Sequence, residues 1–182
     1  GVVVAGEEYP IDVLVFASGF EVTTDLEQRL GFDPRGRDGV AMSERWHDGA
    51  HTLHGVLSAE FPNLMMISLV QAGFGTNFLH FLSESAKHVA WLISQCIDQG
   101  IETIEATPEA EEDWHATLLD VAMRIADYST NCTPGYYNGE QGRNPKAARN
   151  LVYTGSLLDY AGYLERWRED GTFEGTRVAS AT

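Results

Sequence analysis

The chain has 182 residues, of which 43% are hydrophobic and 21% charged. That is enough for one domain with a real core, and it excludes intrinsic disorder. With 27 acidic residues against 12 basic ones the net charge is -15, which excludes a general nucleic-acid surface and disfavours an anionic membrane. Cys96 and Cys132 are the two cysteines, too few and too far apart for a disulfide framework or a zinc knuckle. No apolar run reaches the length of a bilayer crossing, and no signal peptide is evident, so a cytoplasmic setting is expected.

Val2–Ala5, Gly6-Glu7-Glu8 and Ile11–Ala17 predict a β-hairpin whose partner strands lie elsewhere, because two strands alone are marginal. Residues 21–60 are rich in glycine and predict loops. Leu64–Val70 is an apolar run that predicts a second buried strand, broken by Gln71-Ala72-Gly73-Phe74-Gly75. Thr76 or Asn77 then caps a helix reaching about Gln99 and stopped by Gly100. Phe78, Leu82, Val89, Leu92, Ile93 and Cys96 mark its expected apolar stripe.

Ile101–Ala106 suits a short strand. Thr107-Pro108-Glu109 is a helix start, with the cap, the first-turn proline and the acids in order. That helix is expected to reach Tyr128, with Trp114, Leu118, Val121 and Ile125 on its inner face and Glu111, Glu112, Asp113 and Asp120 on its solvated one. Residues 129–150 form a polar loop long enough to suggest a functional segment. Leu151–Thr154 suits a short strand. Ser156 caps a last helix that runs through Arg168 and ends at Gly171.

Two segments carry the chemistry. Asp12–Phe20 reads as a buried strand ending in small residues, Ala17-Ser18-Gly19, where the backbone can approach another group closely. Strand, Gly73-Phe74-Gly75 and helix together form half a dinucleotide fingerprint, but Phe78 stands where the third glycine belongs. A complete nucleotide-binding unit is therefore not expected. His47, His51 and His54 cluster in a loop without the spacing or cysteines of a metal site, so no metal is expected. Arg143, Lys146 and Arg149 are read as a solvated surface rather than a phosphate site.

The strand ending in Ala17-Ser18-Gly19 resembles the Ala-Thr-Gly strand of flavin-dependent monooxygenases, with serine in place of threonine. Within that family the chain is most similar to Baeyer–Villiger monooxygenases. The similarity rests on Glu44-Arg45-Trp46-His47-Asp48-Gly49 followed by His54-Gly55-Val56 and Phe61-Pro62-Asn63-Leu64. It rests also on Thr76-Asn77-Phe78 and on Cys132-Thr133-Pro134-Gly135-Tyr136-Tyr137-Asn138.

The resemblance implies an α/β fold: the C-terminal part of a flavoprotein with two dinucleotide-binding domains, with few strands, packed helices and an incomplete Rossmann-like FAD domain. Residues 1–20 would be the hairpin and the Ala-Ser-Gly link, 61–100 the strand, turn and helix facing the flavin, and 129–150 an active-site loop. It implies FAD and NADPH as cofactors, a ketone and O2 as substrates, and an ester or lactone as product.

Ser18, Gly19, Gly73, Gly75, Asn77 and Phe78 would lie at the flavin. Phe78 would also line the substrate pocket, and Tyr136 or Tyr137 would pack near the nicotinamide nucleotide. The nucleotide fingerprints and the catalytic residues would lie upstream of residue 1, so the isolated chain is expected to be inactive and its partner is the missing N-terminal region. A flavin monooxygenase acting on nitrogen or sulfur is the alternative within enzymes, and a non-catalytic α/β interaction domain the alternative outside them.

Overall fold

The last helix follows directly from its caps. In the computed structural model Leu157–Asp170 is helical, the Ser156 hydroxyl accepts from the Asp159 amide at 3.1 Å, and Gly171 closes the helix at φ 67. Glycine adopts that left-handed conformation without the Cβ clash that other residues meet. The structure describes residues 1–17, 30–131 and 149–180, with backbone alone for 122–131.

The elements in chain order are β1 (Val2–Val4), β2 (Glu7–Tyr9), α1 (Met42–Arg45), α2 (Phe78–Asp98), β3 (Ile101–Ala106), α3 (Pro108–Asn131), α4 (Leu157–Asp170) and β4 (Thr176–Ser180). A short 3-10 turn, Arg37–Gly39, precedes α1. β1 and β2 pair antiparallel with Val3 opposite Glu8. β3 and β4 pair antiparallel with Ile104 opposite Val178, and the register is irregular between Ile101 and Thr103. The fold is α/β, with few strands and packed helices, as the sequence suggested.

Three expected strands are not found: those at 11–17 and 64–70, and that at 151–154, where only Tyr153 makes an isolated bridge. Residues 11–17 form no strand, and the hairpin closes earlier, on Glu7–Tyr9. Val13, Val15 and Phe16 are 75%, 76% and 85% exposed, so this apolar run has no neighbour among the described residues to complete a ladder. Residues 64–70 are likewise irregular. Their apolar character is spent on packing instead: Met66, with Leu64 and Val70 beside it, joins a small cluster with Met42, Trp46, Ala50 and Phe61.

The main core gathers Leu53, Val56 and Leu57 from the loop with Phe81 and Leu92 of α2, Ile104 of β3, and Trp114 and Leu118 of α3. Leu151, Tyr153, Tyr160, Leu164 and Phe173 complete it. The buried stripe of α2 is the expected one in part: Leu92 is buried, and Val89 and Cys96 pack against the core. Phe81, Glu84, Ser85, His88 and Leu92 face inward, while Phe78 and Ile93 are 38% and 46% exposed. Two of the inward polar residues meet partners there: the Ser85 and Tyr160 hydroxyls lie 3.1 Å apart, and Lys87 donates to Glu84 at 2.6 Å, whereas the buried His88 Nδ1 has no hydrogen-bond partner among the described residues.

Candidate functional site

The turn from Gln71 to Asn77 is fixed by main-chain bonds to the segment that follows the 129–150 loop. The Gln71 amide donates to Leu151 O at 3.0 Å, Tyr153 N to Ala72 O at 2.8 Å, and Phe74 N to Tyr153 O at 2.9 Å. Gly73 and Tyr153 form a parallel bridge.

The Gln71 side chain is fully buried and fully satisfied. Its Oε1 accepts from the Thr52 amide and hydroxyl at 2.9 and 2.7 Å, and its Nε2 donates to Ala50 O and Arg149 O at 2.8 and 3.0 Å. One glutamine thus ties the loop before the turn to the exit of the 129–150 segment. Sequence reasoning placed Gln71 only in a breaker, since a lone glutamine gives no pattern.

Gly73 and Gly75 have a packing reason for lacking side chains. A Cβ on Gly73 would meet the Phe81 ring and lie 2.9 Å from Tyr160 Cδ1, and one on Gly75 would lie 2.9 Å from Phe81 Cε2. Asn77 is the N-cap of α2, and its side chain accepts from the His80 amide at 3.4 Å. The amides at a helix start have no intrahelical carbonyl, and the helix dipole is positive there. Residues 76–80 are exposed, so this end of α2 can receive a polar, electron-rich group. Phe78 lies beside it, part exposed. Gly73, Gly75, Asn77 and Phe78 are therefore brought together. Ser18, Gly19, Tyr136 and Tyr137 lie outside the described residues.

Two surface expectations are corrected. Glu111 is fully buried rather than solvated. It accepts from the Ala59 amide at 2.7 Å, the Ser58 hydroxyl at 3.1 Å and the Arg45 guanidinium at 2.5 Å. Burial pushes its carboxyl above the usual range, against the pull of the Ala59 amide and Arg45. Arg149 is not free either: it donates to Glu112 at 2.7 Å, and its Nη2 lies 3.0 Å from His51 Nδ1. The hydrogen bond from Arg149 holds the Glu112 carboxyl below its usual value. In both cases a polar loop folds over a helix face that solvent would otherwise cover.

The three loop histidines diverge. His47 is exposed, while His51 Nε2 lies 2.8 Å from Asp48 Oδ1. His54 is buried at φ 58 among Trp114, Tyr163, Trp167 and His88. Burial depresses His54 to about 3, with the nearby His88 adding to it, and burial with Arg168 depresses His88 to about 3. Among the described residues no group of three or more His, Cys, Asp or Glu is arranged to hold a metal ion. No described helix is long and apolar enough to cross a membrane.

No family model matches the chain. An FAD-binding monooxygenase of Hypomyces subiculosus is 36% identical over 174 residues, covering 96% of this chain and 29% of the relative. A Baeyer–Villiger monooxygenase of Dietzia sp. (strain D5) is 40% identical over 175 residues, again covering 96% of this chain and 28% of the relative. Among solved structures, cyclohexanone monooxygenase from Rhodococcus sp. Phi1 bound to NADP+ superposes with a TM-score of 0.78 at 27% identity, over 97% of this chain and 32% of that one. The chain spans about 30% of the length of the relatives it matches. Along nearly its whole length, the chain matches a C-terminal portion of the Baeyer–Villiger class of FAD-binding monooxygenases.

Proposed function

We propose that this chain is the C-terminal portion of an FAD- and NADPH-dependent monooxygenase that inserts one oxygen atom of O2 into a ketone, giving an ester or lactone. The observation that carries this reading is the match of nearly the entire chain to such enzymes. The exposed start of α2, held by the Gln71–Tyr153 pairing, fits a flavin ring edge. FAD, reduced by NADPH, would supply the activation of O2. The flavin-site residues would be Ser18, Gly19, Gly73, Gly75 and Asn77.

The chain's own residues contribute placement. The α2 amides would hold the electron-rich edge of the ring. Phe78 would form an apolar wall where the ketone sits. Tyr136 and Tyr137 would close over nucleotide and substrate and exclude water. Residues 1–20, 61–100 and 129–150 would act as the link, the flavin-facing unit and the gating loop. Their partner is the remainder of the longer protein, which would carry the catalytic residues, so the isolated chain would be inactive.

The test joins this chain to its own upstream region and supplies FAD, NADPH and a panel of cyclic ketones. Lactone formed in step with NADPH consumption is the expected result. Oxygenation confined to amines or sulfides would move the reading to the nitrogen- and sulfur-acting flavin enzymes, and no NADPH oxidation at all would refute it.

A further inference from the structure

A cavity of about 620 Å³ opens between α3, α4 and the loop before β4, away from the Gly73–Phe78 turn. Its volume lies in the range of small-ligand sites. Its base is aromatic, formed by Trp114, Tyr163 and Trp167 around the ring of His54. Its mouth carries four carboxylates: Glu109 and Asp113 one helical turn apart on α3, Asp170 at the end of α4, and Glu174. The cation in the lining is Arg166, whose guanidinium carbon stands 5.8 Å over the Tyr163 ring.

His54 is the second, independent observation. It is 3% exposed, lines the cavity, and its ring makes no hydrogen bond among the described residues. Its ring nitrogens are not sealed off: among the described residues the fully buried side-chain polar atoms without a partner are His88 Nδ1, Glu105 Oε2 and Arg168 Nη1, so a donor in the cavity can reach His54. Burial keeps the imidazole neutral, with a pKa of about 3, so one nitrogen retains its lone pair. A ligand with an N–H donor would satisfy it.

Positive charge on that donor suits both the faces of the aromatic rings and the acidic mouth. The Arg166 guanidinium over Tyr163 already uses one such face. We propose that this cavity is a binding site for a small organic ammonium ion with an apolar body. Its N–H would point at His54, and its charge would be held between the tryptophan and tyrosine rings and the carboxylates of the mouth.

The test titrates the full chain with benzylammonium chloride by calorimetry at constant ionic strength. Benzyl alcohol and benzoate serve as neutral and anionic counterparts. Saturable one-to-one binding is expected for the ammonium, at least about tenfold tighter than for either counterpart. Asp113→Asn with Asp170→Asn, both on exposed positions, should weaken it about tenfold. Arg166→Met should tighten it by freeing the Tyr163 face.

Near-ultraviolet circular dichroism identical to the parent shows that each variant keeps its packing. Failure of the ammonium to saturate would overturn the proposal. So would equal binding of benzyl alcohol, tighter binding of benzoate, an unaffected rim variant, or weaker binding by Arg166→Met.

Discussion

Acid should destabilise this chain chiefly through two buried histidines. His54 and His88 have ring centroids 5.5 Å apart, and both are held to about 3 from an ordinary 6.5. A depressed histidine pKa means the unfolded chain takes up the proton first. The stabilising contribution is whole above pH 6.5 and shrinks as pH falls, down to about 3, where the folded form protonates too. Each group costs about 1.4 kcal/mol per pH unit in that window, so the pair costs on the order of 3 kcal/mol per unit. At pH 5 the loss is on the order of 4 kcal/mol, a large share of the roughly 5–15 kcal/mol that holds a domain folded.

The assay is urea unfolding between pH 7.5 and 5, followed by tryptophan fluorescence, with the slope of free energy against pH as the readout. Staying above pH 5 keeps the Glu112 carboxyl, held low by Arg149, out of the signal, while Glu111, raised by burial, takes up its proton in the folded chain first and works against the histidine slope. His88→Leu should roughly halve the slope. A flat profile from pH 6.5 to 5, or an unchanged slope in His88→Leu, would refute the reasoning.

Glu111→Ala should destabilise the chain by roughly 3–5 kcal/mol, because Arg45 loses its buried partner and the Ala59 amide its acceptor; urea midpoints with an unchanged m-value check it. In the longer protein, Phe78→Ala should change selectivity among ketones by the equivalent of roughly 1–3 kcal/mol while FAD content stays the same; competition between substrates measures it. Tyr136→Ala with Tyr137→Ala in the same protein should raise hydrogen peroxide released per NADPH consumed and weaken NADPH binding, with flavin content unchanged. Equal coupling would make that loop structural.

The helices α2, α3 and α4 were legible because their signals are local, whereas the single turn of α1 was read as loop. Ser156 and Gly171 bracket α4, and Thr107-Pro108 opens α3. The sheet was less legible. An apolar run such as 64–70 specifies burial but does not specify a ladder partner, and Met66 finds burial against Trp46 and Phe61 without one. The α2 stripe was placed in part: Leu92, Val89 and Cys96 do pack on the core, but Glu84, Ser85 and His88 look like surface residues until Lys87, Tyr160 and the rings of His54 and Trp167 are seen beside them.

Of the site, the Gly73–Phe78 turn was visible as a motif. The reason for Gly73 is the nearby Phe81 ring, which no motif records. Glu111 and Arg149 were hidden for a related reason: their partners, Ala59 and His51, lie 52 and 98 residues away in sequence.

Oxygen labelling tests the central claim most directly. The chain joined to its upstream region, loaded with FAD, would be given NADPH, a cyclic ketone and ¹⁸O2 in ordinary water, and the product examined by mass spectrometry. The account predicts a lactone carrying a single heavy oxygen atom in the ring position. A product without heavy oxygen, or one oxygenated at nitrogen or sulfur only, would contradict it.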